Sequence, residues 1–310
     1  MQLHSFSRRD WLKMCGAFSI SGALPGVSAA RGIFSQKRKL KTSLNAYSFN
    51  KPLSEGRMTL ADLLEFCADH DIDAVDLTGY YFPGYPEVPP DEYLYELKRK
   101  AFRLGVDISG TGVRNDFTHS DDAKREEDIS RIQNWIVAAS KIGAPVIRIF
   151  SGNTKYKGEA RKVVLDRMAG EMRQCVEFGQ KNGVIVAVQN HDDFLLNADQ
   201  TIEILQKVSS PWFGLILDIG SFHGPDPYDE IARCIPYAVN WQIKEKVYPN
   251  GKEEKVDLKR LFGLINASGY RGYLPIETLG PGDPFEKVPM FLKEVKEALY
   301  TSSADKTAFR

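Results

Sequence analysis

Two rhythms of apolar and polar positions take turns along this chain. Short, nearly continuous apolar runs bounded by turn residues alternate with longer segments in which apolar residues return every three or four positions. The first rhythm describes a strand buried on both faces, and the second an amphipathic helix. It predicts strands at 43–49, 74–77, 106–113, 146–150, 184–189, 213–218, 238–243 and 272–277. The intervening helices are expected at 59–70, 91–104 (with Asp91 as its cap), 121–142, 158–182, 198–208, 228–234, 256–268 and 284–299. Alternating β and α units of this length imply a parallel sheet. Eight of them without a break in composition fit an α/β fold in which a closed (β/α)8 barrel covers residues 42–300. An open doubly wound sheet is the alternative, but Gly110-Thr-Gly112 lacks the third glycine of a dinucleotide fingerprint and reads as a turn.

Four of the predicted strands end in a polar residue that a buried strand would not carry without a purpose: Gln189, Asp218, Gln242 and Glu277. In parallel α/β folds the carboxyl ends of the strands share one rim, so these four side chains are expected to converge. Two carboxylates and two carboxamides make an all-oxygen set, which suits one divalent metal, Mn²⁺ or Mg²⁺, able to polarise a sugar carbonyl. The alternative is a metal-free polar rim in which Lys244 and Arg148 balance the acids. His191, just past a strand end and on the face of Gln189, is a candidate acid/base. Arg148 is a charge inside a strand and is expected to reach substrate hydroxyls or a carboxylate. Tyr47, Arg114 and His223 complete the candidate substrate contacts, with packing or a junction role as the alternative for Tyr47 and His223. The loop 78–90, rich in aromatics and proline, is suited to walling a sugar-sized pocket.

Composition narrows the partners. The chain has 310 residues, 41 basic and 41 acidic, and 43% hydrophobic residues, enough for a sizeable core. It shows no basic stripe with interleaved aromatics, so a small-molecule carbohydrate is the expected partner and nucleic acid is not. The N-terminus, Ser7-Arg8-Arg9-Asp10-Trp11-Leu12-Lys13, precedes a modestly apolar segment and Ser28-Ala29-Ala30. This reads as a twin-arginine export signal over 1–30, then a leader at 31–41, with a tail at 301–310 and a periplasmic destination. The apolar segment is too short and too rich in Gly and Ser to anchor the protein stably in a membrane. Cys67, Cys175 and Cys234 are isolated on helix-like segments and are expected to be buried and unpaired. Oligomeric state stays open, a homo-oligomer included.

Taken in order, Val-Gln-Asn-His191, Leu-Asp218-Ile-Gly, Gln242-Ile-Lys-Glu245 and Pro-Ile-Glu277 resemble the sugar phosphate isomerase/epimerase superfamily, the xylose isomerase-like TIM barrels. The resemblance covers about residues 42–300. It implies a TIM barrel, an isomerase or epimerase acting by proton abstraction next to a carbonyl, and one divalent metal, commonly Mn²⁺, held at positions 189, 218, 242 and 277. In the epimerases of this group the glutamates at the first and last of these positions also shuttle the proton. This chain departs twice, with Gln189 in place of the first Glu and Gln242 in place of a His. A glutamine can ligate through oxygen but cannot serve as a general base, which leaves Glu277 and His191 for proton transfer and Lys244 as a further catalytic candidate. Some relatives act as lyases on 3-keto-glycosides, which also requires removal of an α-proton. The competing functions are an AP-endonuclease-type nuclease, for which the histidines are too few, and an altered barrel that binds a sugar or a protein without turnover.

Overall fold

The computed structural model describes residues 40–152, 159–191 and 193–304. The expected export signal, nearly all of the leader and the end of the tail lie outside the described residues. Eight parallel strands close into a barrel: β1 (Lys41–Asn45), β2 (Ala74–Thr78), β3 (Asp107–Gly112), β4 (Val146–Phe150), β5 (Ile185–Gln189), β6 (Phe213–Asp218), β7 (Ala238–Lys244) and β10 (Tyr273–Glu277). β10 pairs with both β7 and β1, which closes the ring. The short strands β8 (Lys246–Val247) and β9 (Glu254–Lys255) form a separate antiparallel hairpin. The closed (β/α)8 expectation is therefore met.

Around the ring run α1 (Asn50–Ser54), α2 (Leu60–Asp69), α3 (Asp91–Leu104), α4 (Asp122–Ile142), α5 (Arg161–Lys181), α6 (Ala198–Val208), α7 (Pro227–Cys234), α8 (Leu258–Ser268) and α9 (Pro284–Ala304). Their boundaries follow local chemistry. Thr59 and Asp62 cap α2 reciprocally, each side chain bonded to the other's backbone N–H. Asp121, Asn197, Asp226 and Asp257 cap four other helices through side-chain oxygens. Gly105 and Gly143 end α3 and α4 with φ of 69° and 83°, a conformation that a side chain would strain. Strand residues alternate between two environments. Val75, Leu77, Ile147, Ile149, Val186, Val188, Leu215 and Leu217 face the helices in the main core, whereas Val146, Ala187 and Ile216 form a small plug inside the barrel. Cys67, Cys175 and Cys234 are buried and unpaired, as expected.

The structure corrects several boundaries. The first strand ends at Asn45 rather than running to 49, because the Asn45 side chain accepts a hydrogen bond from the Tyr47 N–H at 2.8 Å and turns the chain into a 3-10 helix over Ala46–Phe49. Asp91 is the first residue of α3 and not its cap; Pro90 holds the cap position and Asp91 pairs with Lys141 at 2.6 Å. α1 and the β8–β9 hairpin were not expected. The hairpin turns through Pro249–Gly251, where Asn250 and Gly251 have φ of 52° and 73°. Among the described residues no helix is long and apolar enough to cross a membrane.

Candidate active site

Asp218, Gln242 and Glu277 sit at the carboxyl ends of adjacent strands because the register aligns them: Asp218 opposes Gln242 across β6 and β7, and Glu277 opposes Lys244 across β10 and β7. Gln189 ends β5, next to β6. All four expected residues therefore meet at one rim, and each is at least nine-tenths buried. Above them opens a cavity of about 650 Å³, lined among others by Gln189, Gln242, Lys244 and Glu277 at its floor and by Tyr47, Tyr80, Arg114, Arg148, His191 and Asp193. Its size suits a sugar.

Lys244 organises the charges. Its Nζ lies 2.7 Å from Asp218 Oδ2 and 3.6 Å from Glu277 Oε2. Burial works against the ammonium, but the two acids outweigh it and hold the lysine above its usual pKa. Burial likewise holds the Glu277 carboxyl above the usual carboxylate range; Asp218 adds to this, while Lys244 and Arg148 pull the other way. A Cβ at Gly220 would come within 2.8 Å of Lys244 Cδ, so the absence of a side chain there makes room for the lysine stem. The Gly220 N–H in turn donates to Asp218 Oδ1 at 2.9 Å. Asn190 grips β6 with both ends of its amide, donating to the Asp218 carbonyl at 2.8 Å and accepting from the Asp218 N–H at 2.9 Å.

The two amides are tied to the acids. Gln189 Nε2 donates to Asp218 Oδ2 at 2.8 Å. The Gln242 amide sets a proton requirement at the rim, and its nitrogen satisfies the acids better than its oxygen does. With its oxygen toward the acids it accepts from Gln189 Nε2 at 2.8 Å, but that oxygen then lies 2.8 Å from Glu277 Oε2, a contact that needs a proton on Glu277. With its nitrogen toward the acids it donates to Glu277 Oε2 at 2.8 Å and to Asp218 Oδ2 at 3.2 Å and accepts from Asn45 Nδ2 at 3.1 Å, with Gln189 Nε2 2.8 Å from that nitrogen, and Glu277 can stay ionised.

On the wall, Arg148 donates to the Tyr80 hydroxyl at 2.6 Å and to the Val113 carbonyl at 3.0 Å, and its guanidinium lies 4.0 Å from the Phe150 ring centroid. A Cβ at Gly112 would approach Arg148 Nε to 2.8 Å, so this glycine clears the way for a cation inside the barrel. Arg114 stacks 4.4 Å from the Tyr80 ring centroid. His191 is exposed at the cavity wall, its ring 4.7 Å from that of Phe150. Tyr47 also lines the cavity, but His223 does not; it stacks on Tyr248 at 5.2 Å. Of the aromatic loop 78–90, Thr78 and Tyr80 reach the cavity, whereas Phe82 is buried against Trp135. Two groups carried no signal in the chain. Asp193 lines the cavity and accepts from the Ser151 hydroxyl at 2.5 Å, and burial pushes its carboxyl up to about 6. Asp76 lies inside the barrel below the rim, and burial pushes it up to about 6, with Arg148 opposing and Glu277 reinforcing the shift.

This donor set does not fit a resident divalent ion. The two carboxylates already share an ammonium, and the nearest amide group of Gln189 is a donor directed at Asp218.

Comparison with known proteins places the chain. A curated relative, the uncharacterized protein YihM of Escherichia coli strain K12, is 24% identical over 225 residues; the match covers 71% of this chain and 63% of the relative's length. Among solved structures, D-psicose 3-epimerase from Clostridium cellulolyticum H10, crystallised with D-tagatose, superposes with a TM-score of 0.68 at 15% identity, over 85% of this chain and 98% of that one. The 3-keto-D-glucoside 4-epimerase YcjR from E. coli superposes with a TM-score of 0.68 at 11% identity, over 84% of this chain and all of that one. At such identities the superpositions speak for the fold alone. The family model of the xylose isomerase-like TIM barrels matches residues 64–295, and with the closed ring and the rim described above, the chain belongs to that family.

Proposed function

We propose that the rim cavity binds a sugar or keto-sugar and catalyses isomerase-type chemistry by moving a proton next to a carbonyl. The observation that carries this reading is Glu277, a buried carboxyl facing a sugar-sized cavity with an ammonium 3.6 Å from one of its oxygens. Ionised, Glu277 takes the proton from the carbon beside the substrate carbonyl. The electron pair of the broken C–H bond moves into the C–C bond, and the carbonyl π pair moves onto oxygen. The Lys244 ammonium and the Arg148 guanidinium stabilise the resulting enediolate. The proton then returns from Glu277 to the former carbonyl carbon, while the proton of the neighbouring hydroxyl passes to the oxyanion, so the carbonyl re-forms one carbon along and the reaction balances without an outside oxidant or reductant.

With Gln189 unable to act as a base, the rim offers one carboxylate for the proton rather than two. One base removes and returns a proton on the same face of the enediolate, which supports an aldose–ketose type of shift over inversion by two opposed bases. His191 and Arg114, on the wall, are read as substrate contacts, with His191 the second candidate for proton transfer. The similarity to sugar epimerases of the same fold agrees with the substrate class. The N-terminal segment is read as a twin-arginine signal directing the barrel to the periplasm, a reading that cell fractionation of the full chain tests.

The functional test is isotope exchange. The protein is incubated in D₂O with a panel of aldoses, ketoses and 3-keto-glycosides, and deuterium at carbon is followed by NMR. Incorporation that disappears in Glu277→Gln supports the reading. Sugar binding without incorporation of label across the panel points instead to a barrel that holds its ligand without turnover.

A further inference from the structure

The cup formed by Gln189, Asp218, Gln242 and Glu277 contains a positive charge that belongs to the chain itself. Lys244 is the second residue after Gln242 on the same strand, so its side chain shares the inward face. Its Nζ reaches 2.7 Å from Asp218 Oδ2 and 3.6 Å from Glu277 Oε2. Three independent features favour that placement. Gly220 leaves the space through which the lysine stem runs, since a Cβ there would come within 2.8 Å of Cδ. Both remaining cup positions hold neutral amides, so the cup carries two acidic charges and no more. The Gln189 amide directs its nitrogen at Asp218 Oδ2 at 2.8 Å, where a cation's ligand would present oxygen.

We infer that the Lys244 ammonium takes the place of a divalent ion in this barrel, so that the site works with a cation built into β7. This rests on the reading of the rim as the substrate site. Two carboxylates and one ammonium leave a single net negative charge in a desolvated cup. A dication added there would lie against the ammonium and reverse the sign of the cup, a repulsion that low local polarity strengthens. The same ammonium supplies what a metal would supply to an enediolate, a positive charge beside the developing oxyanion, without a dissociable cofactor. Replacement of the metal by a lysine explains why position 189 is an uncharged amide: a third carboxylate there would leave excess charge that one ammonium cannot balance.

The test reads metal binding with no sugar present. The full chain is dialysed against MnCl₂ and then metal-free buffer, its manganese content is measured by plasma mass spectrometry, and its melting temperature is compared with Mn²⁺ and with EDTA. The wild-type protein is expected to retain well below one manganese per chain and to melt at the same temperature in both. Lys244→Met is expected to bind Mn²⁺ roughly tenfold more tightly or better, the scale on which one neighbouring charge shifts a buried equilibrium. Should that variant not fold, Lys244→Gln provides the same comparison, and the wild-type measurement stands without any variant. Stoichiometric manganese in the wild type, an EDTA-sensitive melting temperature, or neutral variants no better at binding Mn²⁺ than the wild type would overturn the inference. Failure to exchange deuterium into any sugar would sink the enzyme reading and leave this result untouched.

Discussion

Lys244→Met probes the charge balance of the rim most directly. Asp218 is fully buried, the Glu277 side chain is 6% exposed, and the Lys244 side chain is 14% exposed. Truncating one member of a buried ion pair costs about 3–5 kcal/mol when the partner charge is left uncompensated. Here the loss is capped, because Glu277 can take up a proton instead, and burial already holds its carboxyl above the usual range. We therefore expect a loss of about 3 kcal/mol at pH 8, which for a barrel of this size corresponds to roughly 5 °C in melting temperature. The sign with pH follows from the raised folded-state pKa of Glu277: its protonated form is the one the fold favours, so that contribution is present at low pH and is lost as pH rises through the folded pKa. The deficit of Lys244→Met should thus shrink at pH 5. Urea denaturation at pH 5 and 8 measures it, and Lys244→Met combined with Glu277→Gln should recover at least about 1 kcal/mol of coupling energy. A variant within about 0.5 kcal/mol of wild type at both pH values, or strictly additive single changes, would refute the charge balance described here.

The other expectations are simpler to state. Glu277→Gln should lower deuterium exchange into a sugar substrate by roughly 10²–10⁴-fold, the usual worth of a positioned base, while circular dichroism remains that of the wild type. Arg148→Lys should weaken substrate binding by about 10- to 100-fold, because the planar fork that reaches Tyr80 and Val113 together is lost, and calorimetry with the best exchanging sugar reads it. Asp76, pushed up to about 6 by burial, favours the fold when protonated; its contribution is present below about pH 4 and disappears as pH rises through about 6. Asp76→Asn should flatten that part of the stability–pH curve, and denaturation midpoints at pH 5 and 8 that move in parallel with wild type would contradict it. Thr59→Ala removes one half of a reciprocal cap and should cost α2 about 1 kcal/mol in the same denaturation assay.

The rhythm of apolar positions determined the barrel by itself. Strands β4 and β6 and helix α6 lie where the pattern placed them, and the closed ring follows from eight consecutive β/α units, because burial on both faces of a strand and on one face of a helix leaves a local trace in the chain. Local chemistry was misread where a side chain competed with the regular backbone, as at Asn45, where Pro90 rather than Asp91 took the cap position, and where short elements such as α1 and the turn at Pro249–Gly251 fold within a connection. The convergence of positions 189, 218, 242 and 277 was also legible, since every parallel strand ends on the same rim. What each polar group meets there was not. That Lys244 bridges Asp218 and Glu277, that His223 turns away to stack on Tyr248, and that Asp76 and Asp193 are held as high-pKa carboxyls depend on strand register and on the packing of residues far apart in the chain. Desolvation and charge pairing are properties of a three-dimensional neighbourhood. A linear pattern records which residues are buried, but only the closed barrel decides which charges share that burial.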